Sequence, residues 1–125
     1  GLHNSKGISA SGMQAQANRL RHISENIANA DTPGYRRKVL MVEQAPTAAD
    51  AFIATRVELD ETEGERRYDP ASPMADGEGY VTSSNVSLVT EMADMREANR
   101  SYEANLNSFR QARSMYQSLL DILRR

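Results

Sequence analysis

Residues 86–124, VSLVTEMADMREANRSYEANLNSFRQARSMYQSLLDILR, contain neither proline nor glycine. From Leu88 a four-three spacing picks out Leu88, Met92, Met95, Asn99, Tyr102, Leu106, Phe109, Arg113, Tyr116, Leu120 and Leu123. All but Asn99 and Arg113 are apolar or aromatic, a period of 3.5 that marks a helix burying one seam against another helix. The spacing predicts one helix from about Val86 to Arg124, roughly 58 Å long at 1.5 Å per residue. Ser87 or Asn85 is placed to cap its start, because either side chain can accept an unbonded N–H of the first turn. Ala112, Met115, Leu119 and Ile122 add a second apolar row, which predicts more than one neighbour at that end. A helix of this length cannot bury its own stripe, so it requires a partner. Asn99 and Arg113 either sit where the seam is exposed, or fix register and partner number at a cost in stability.

The four prolines, Pro33, Pro46, Pro70 and Pro73, confine themselves to the stretch 33–73. Both flanks are therefore free to be long helices, and the middle is not. In the N-terminal flank Met13, Leu20 and Ile27 are seven apart, Ile23 falls between them, and Ala17 and Ala30 widen the stripe. This face permits close helix approach but buries little area. Four such large side chains give on the order of 6–12 kcal/mol, and ordering the helix costs a comparable amount. The helix is expected to be marginal until its neighbours are present. It must stop near Ala30, because Thr32 precedes a proline and is pushed out of the helical region. Pro33 and Gly34 at the centre of a turn favour type II, with Gly34 at positive φ. Thr32, Pro33 and Gly34 then form a corner out of the helix. Asn26 and Asn29 read as close-packing, hydrogen-bonding groups at a face between subunits. Arg36, Arg37 and Lys38 are expected beside the acidic middle of the same chain or the next.

In the middle, Ile53, Thr55, Val57 and Leu59 alternate with Ala54, Arg56 and Glu58, the period of a half-buried strand. KVLMV (38–42) suits a second strand, and DETEGE (60–65) reads as a charged hairpin or loop tip. The expected architecture is mainly α with a small β lobe: long N- and C-terminal helices pairing as a coiled-coil core, with short strands and loops between. Residues 1–35 with 84–125 would form a discontinuous helical core domain, and 36–83 the lobe.

Composition excludes several function classes. The chain of 125 residues has no cysteine, which rules out disulfides and thiolate metal sites, and no tryptophan. Residues 1–38 carry six basic and two acidic side chains, and 39–83 carry three and ten. The acidic middle repels phosphate, which argues against nucleic acid. Nothing resembles a cleavable signal peptide, and no apolar run is long enough to insert in a membrane. His3 and His22 are nineteen apart with no ligand near them at metal spacing, and His22 reads as a surface residue. No nucleophile elbow or phosphate-cradling glycine loop occurs. Asp76-Gly77-Glu78-Gly79 lacks the oxygen donors of a calcium loop and reads as a turn. No enzyme, cofactor, metal or small-molecule substrate is expected.

SGMQAQANRLRHISENIANADTPGYRRK (11–38) resembles the N-terminal motif of bacterial flagellar rod and hook axial proteins. The stretch 68–105 is more specific, and resembles the FlgC family of flagellar basal-body rod proteins. Its elements are Tyr68-Asp69-Pro70, Gly79-Tyr80-Val81, Asn85-Val86, Glu91-Met92 and Arg100 to Asn105. Ser83-Ser84 departs from that pattern, standing where a proline often precedes Asn-Val. The resemblance covers roughly residues 8–125. It implies a structural subunit of the proximal rod that self-assembles through helix packing into the torque-transmitting shaft. It also implies copies of itself and other rod proteins as partners, export through the flagellar type III apparatus without a cleaved signal, and a place in the periplasmic span of the basal body. A soluble coiled-coil adaptor binding a partner helix is the alternative reading of the same stripe.

Overall fold

The computed structural model describes residues 2–46 and 51–124, and the side-chain surroundings of 10–43 and 54–124. His3 and Ile53 fall outside the described side chains. The elements run α1 (Leu2–Ala28), β1 (Lys38–Pro46), β2 (Ala51–Leu59), β3 (Arg66–Tyr68), β4 (Tyr80–Thr82) and α2 (Leu88–Leu123). The protein is mainly helical, with short antiparallel strands between two long helices. Ser87 caps α2, its hydroxyl accepting from the N–H of Thr90, while Asn85 is used elsewhere. No described helix is long and apolar enough to cross a membrane.

The helices lie antiparallel. Gly12 faces Asn105, Arg19 pairs with Glu97, and Asn26 reaches Glu91. The α1 line runs through Gly12, Ala15, Ile23 and Asn26, all buried. The α2 line runs through Glu91, Ala98 and Ala112, with Asn105 half-buried between them. A Cβ added at Gly12 would stand 2.5 Å from Asn105 Oδ1, so this seam is close because its central residues are small. The register sets Leu2 opposite about Met115.

The strands β1 and β2 pair in one ribbon, Lys38 opposite Leu59 and Pro46 opposite Ala51, and this ribbon rests on α1. A second ribbon joins β3 to β4, with Tyr68 opposite Tyr80. Residues 60–65 are not a hairpin tip: they link β2 to β3, which do not pair. The link passes so close to the segment before α2 that a Cβ at Gly64 would stand 2.0 Å from the carbonyl oxygen of Ser83. The Asp76-Gly77-Glu78-Gly79 stretch is a turn, in which Asp76 Oδ1 accepts from the N–H groups of Glu78 and Tyr80.

The apolar core is thin. Among the described residues only Ala15, Ile23, Val81, Ala98 and Ala112 are fully buried hydrophobics. A compact chain of 13.9 kDa exposes about 6,700 Å², whereas this one exposes 8687 Å². The excess, about 2,000 Å², is comparable with a whole protein–protein interface.

Candidate assembly interface

Two features define the site: a buried polar clamp that fixes the helices to the corner, and apolar faces on α2 that the chain leaves uncovered. The clamp begins at the corner. The amide of Tyr35 donates to the carbonyl of Thr32 at 3.1 Å, and Gly34 has φ of 75°. This is a turn with Pro33 and Gly34 at its centre, and positive φ at Gly34 suits type II. Gly34 N–H also donates to the Thr82 carbonyl at 2.9 Å, tying the corner to β4.

Beyond the turn, Arg37 reaches three carboxylates. Its Nε donates to Glu91 Oε1 at 2.7 Å, its Nη1 to Asp60 at 3.2 Å and its Nη2 to Asp94 at 3.1 Å. Glu91 is 0% exposed, and its other oxygen accepts from Asn26 Nδ2 at 3.2 Å. Asn26, also 0% exposed, uses its amide oxygen to accept from the Tyr35 hydroxyl and the Lys38 N–H, each at 2.9 Å. Its amide nitrogen donates to the Lys38 carbonyl at 2.9 Å as well. One side chain therefore fixes the end of α1 to the strand that leaves the corner. Asn85 completes the joint, accepting from Arg37 N–H and donating to the carbonyls of Asp60 and Thr62.

Burial opposes the Arg37 charge, but hydrogen bonds to Glu91 and then Asp60 outweigh it and raise its pKa above the ordinary arginine value. The Asp60 carboxyl is held below its usual range by the backbone N–H and side chain of Thr62, with Arg37 adding to the effect. Nearby, Lys38 Nζ bonds Glu25 at 2.6 Å, which raises the lysine and lowers the glutamate.

Two expectations are corrected here. Asn26 is no inter-subunit group, because its polar atoms are consumed inside the chain; Asn29 bonds the Glu25 carbonyl and the Thr32 hydroxyl but is only half-buried and keeps part of its surface exposed. His22 is not a surface residue: its side chain is 13% exposed, with Nδ1 buried 3.8 Å from Glu25. It shares the face of α1 that holds Glu25 against Lys38 of the ribbon. Of the basic cluster, Arg36 and Arg37 meet the acidic link at the Glu61 carbonyl and Asp60, but the strongest contact of Arg37 is with α2.

The stripe residues divide. Ile23 is buried, and Met13, Leu20, Ile27, Met95, Tyr102, Leu106, Phe109 and Leu120 are half-buried. Leu88, Met92, Asn99, Arg113, Tyr116 and Leu123 are exposed. The uncovered apolar surface gathers at the two ends of α2. Val89 is 80% exposed beside Leu88 and Met92 at the start, and Ile122 is 64% exposed beside Met115, Leu119 and Leu123 at the end. Sequence reasoning missed Gly12, Gly64, Ala98 and Glu91 as packing positions, and placed Ala112, which is buried, in the second apolar row.

A family model described as "Flagella basal body rod protein" matches residues 8–36, and one described as "Flagellar basal body rod FlgEFG protein C-terminal" matches 78–122. The chain is 43% identical to the flagellar basal-body rod protein FlgC of Agrobacterium fabrum, over 94% of this chain and 91% of that one. The chain belongs to the FlgC family of flagellar basal-body rod proteins. Similar matches are FlgC of Aquifex aeolicus, 37% identical over 93% of this chain and 92% of the relative, and FlgC of Borreliella burgdorferi, 34% over 98% of each. The two family-model segments are α1 with its corner and β4 with α2, the parts that the Arg37–Glu91 clamp joins. The ribbon β1–β2 lies between them and outside both. As a FlgC-family member the protein is a structural component of the basal-body rod, assembling with other rod components.

Proposed function

We propose that this chain is a subunit of the proximal rod whose work is packing rather than turnover. The discontinuous unit of residues 1–35 and 84–125 forms the helical core layer, and 36–83 the smaller lobe carried on it. The stripe residues of both helices, including the turns that the chain leaves exposed, pack against copies of itself and against other rod proteins. The subunit lies in the periplasmic span and is exported through the flagellar type III apparatus without a cleaved signal. Torsional stiffness follows from long helices whose packed side chains resist sliding, and a heterologous contact that does not close on itself yields a helical tube.

The observation that carries this reading is the bare apolar surface at both ends of α2. Ile122→Asp tests it. Ile122 is exposed in the single chain, so the substitution leaves monomer stability within about 0.5 kcal/mol, yet it places a charge in the assembled seam. The expected result is loss of the protein from isolated basal bodies and loss of swimming, with normal soluble expression. Normal swimming refutes the reading.

A further inference from the structure

The middle of α2 carries a basic face that the chain leaves unpaired. At about 100° per residue, Arg96, Arg100 and Arg110 fall within an arc of about 80°. That arc lies opposite the line of Glu91, Ala98, Asn105 and Ala112 that meets α1. All three arginines are exposed, and among the described residues none makes an ion pair or a side-chain hydrogen bond within the chain. Arg19, Arg37, Lys38, Arg56, Arg66 and Arg67, by contrast, each pair with a carboxylate. Arg96 and Arg100 are four apart, a like-charge spacing that weakens an isolated helix. Glu103, the one acid between Arg96 and Arg110 on that face, pairs with none of them. A cleft of about 460 Å³ opens where the corner meets the acidic link. Asp31, Glu63 and Glu65 line it, with no base among its lining residues. These three carboxylates are also exposed and without an ion pair among the described residues. Glu63 and Glu65 are two residues apart, at most about 7 Å, and Arg96 and Arg100 are about 6 Å apart along the helix.

We infer that the arginine face of α2 in one copy of this chain seats on the Asp31–Glu63–Glu65 cleft of a second copy. The contact rests on the reading of the chain as an assembling rod subunit and adds which charged surfaces meet. A guanidinium presents a planar fork that fits a carboxylate with two hydrogen bonds, and the matched spacings let Arg96 and Arg100 meet Glu63 and Glu65 together. Both complements are carried by this one chain, which makes a copy of itself the fitting occupant. Exposed ion pairs are individually weak, so apolar packing supplies the attraction and the charges decide which faces meet. The contact uses two different patches and so repeats without closing.

Charge exchange in the full-length chain tests the contact, with incorporation into isolated basal bodies as the readout. Arg96→Glu with Arg100→Glu should lower incorporation several-fold, and Glu63→Arg with Glu65→Arg should do the same. All four changes together should restore most of it. The four side chains are exposed, so thermal melts of the isolated variants should match those of the unsubstituted chain. Undiminished incorporation of either pair, or no restoration in the fourfold variant, overturns the contact and leaves the rod reading intact. The chain has no cysteine, so Arg100→Cys with Glu63→Cys and a short bismaleimide gives an independent measurement. Arg100 stands about 18 Å along α2 from Leu88, and the cleft lies before that helix begins, so each link is between molecules. The expected product is dimers and higher species, absent from either single variant. A link only to a protein of different mass, or no link in basal bodies that contain the variant, overturns the second copy as occupant. Absence of the unsubstituted chain from basal bodies overturns both readings.

Discussion

Replacing Arg37 by methionine strands the Glu91 carboxylate where water does not reach it. Glu91 is 0% exposed, and Arg37 Nε, 2.7 Å away, is the cation that balances it. Asn26 remains at 3.2 Å, one neutral hydrogen bond against a full charge. Removing one partner of a buried pair costs about 3–5 kcal/mol. The Asp60 and Asp94 pairs are partly exposed and add at most about 1 kcal/mol each. Against a typical domain stability of about 5–15 kcal/mol, and with a core built largely of alanines, this is a substantial fraction. Urea unfolding of the full chain, followed by circular dichroism at 222 nm, reads the change directly. Replacing both residues, Arg37→Met with Glu91→Met, should recover all but about 1–2 kcal/mol. A single variant that loses less than about 1 kcal/mol, or a double variant no better than the single, refutes the reasoning.

Gly64→Ala should cost about 3 kcal/mol or more, since the new Cβ meets backbone that cannot swing aside, while Gly77→Ala, with nothing within 4 Å, stays within about 0.5 kcal/mol. Equal effects in thermal melts would show that the link does not pack as described. Ser87→Ala removes the cap of α2 and should lose about 1 kcal/mol, seen as faster amide exchange in the first turn; unchanged exchange at Thr90 counts against it. The folded pKa values of Glu25, Asp60 and Asp76 lie below their unfolded values of 4.5, 3.8 and 3.8. Their contribution is present above those values and disappears as pH falls through the folded ones. Lys38 is raised above 10.5 by Glu25, so its share is lost only as pH climbs beyond that. Stability should be level from about pH 5 to 9 and drop in acid below about pH 4.5; melts that improve between pH 5 and 3.5 contradict the assignment.

The gross architecture was legible because prolines and hydrophobic period act locally. The corner at Thr32-Pro33-Gly34 was legible for the same reason, as turn chemistry needs only neighbouring residues. The seam was harder. A hydropathy reading follows large side chains and selected Met92, Asn99, Leu106 and Arg113, yet the line closest to α1 is one residue earlier: Glu91, Ala98, Asn105 and Ala112. Close approach selects small residues at the centre of a seam and displaces large ones to its flanks, and the exposed members of the predicted stripe are those rotated outward. The clamp was legible only in part: Arg37 was expected beside the acidic middle, where it meets Asp60, and Asn26 read as a close-packing, hydrogen-bonding group, but nothing pointed to Glu91 as the residue that joins them. Asn26, Arg37 and Glu91 lie far apart in sequence and are each of a type usually met at the surface. Gly64 had no local signal beyond its place in an acidic run, because the carbonyl that forbids its side chain belongs to Ser83.

The central claim is that α2 is bare at its ends in the single chain and covered in the rod. A density map of intact basal bodies, at a resolution that shows side chains, tests it most directly. The account predicts Leu88, Val89 and Met92 of each copy packed against another subunit, Leu119, Ile122 and Leu123 likewise, and the Arg37–Glu91–Asn26 clamp unchanged inside every chain. A map in which both ends of α2 face solvent contradicts it.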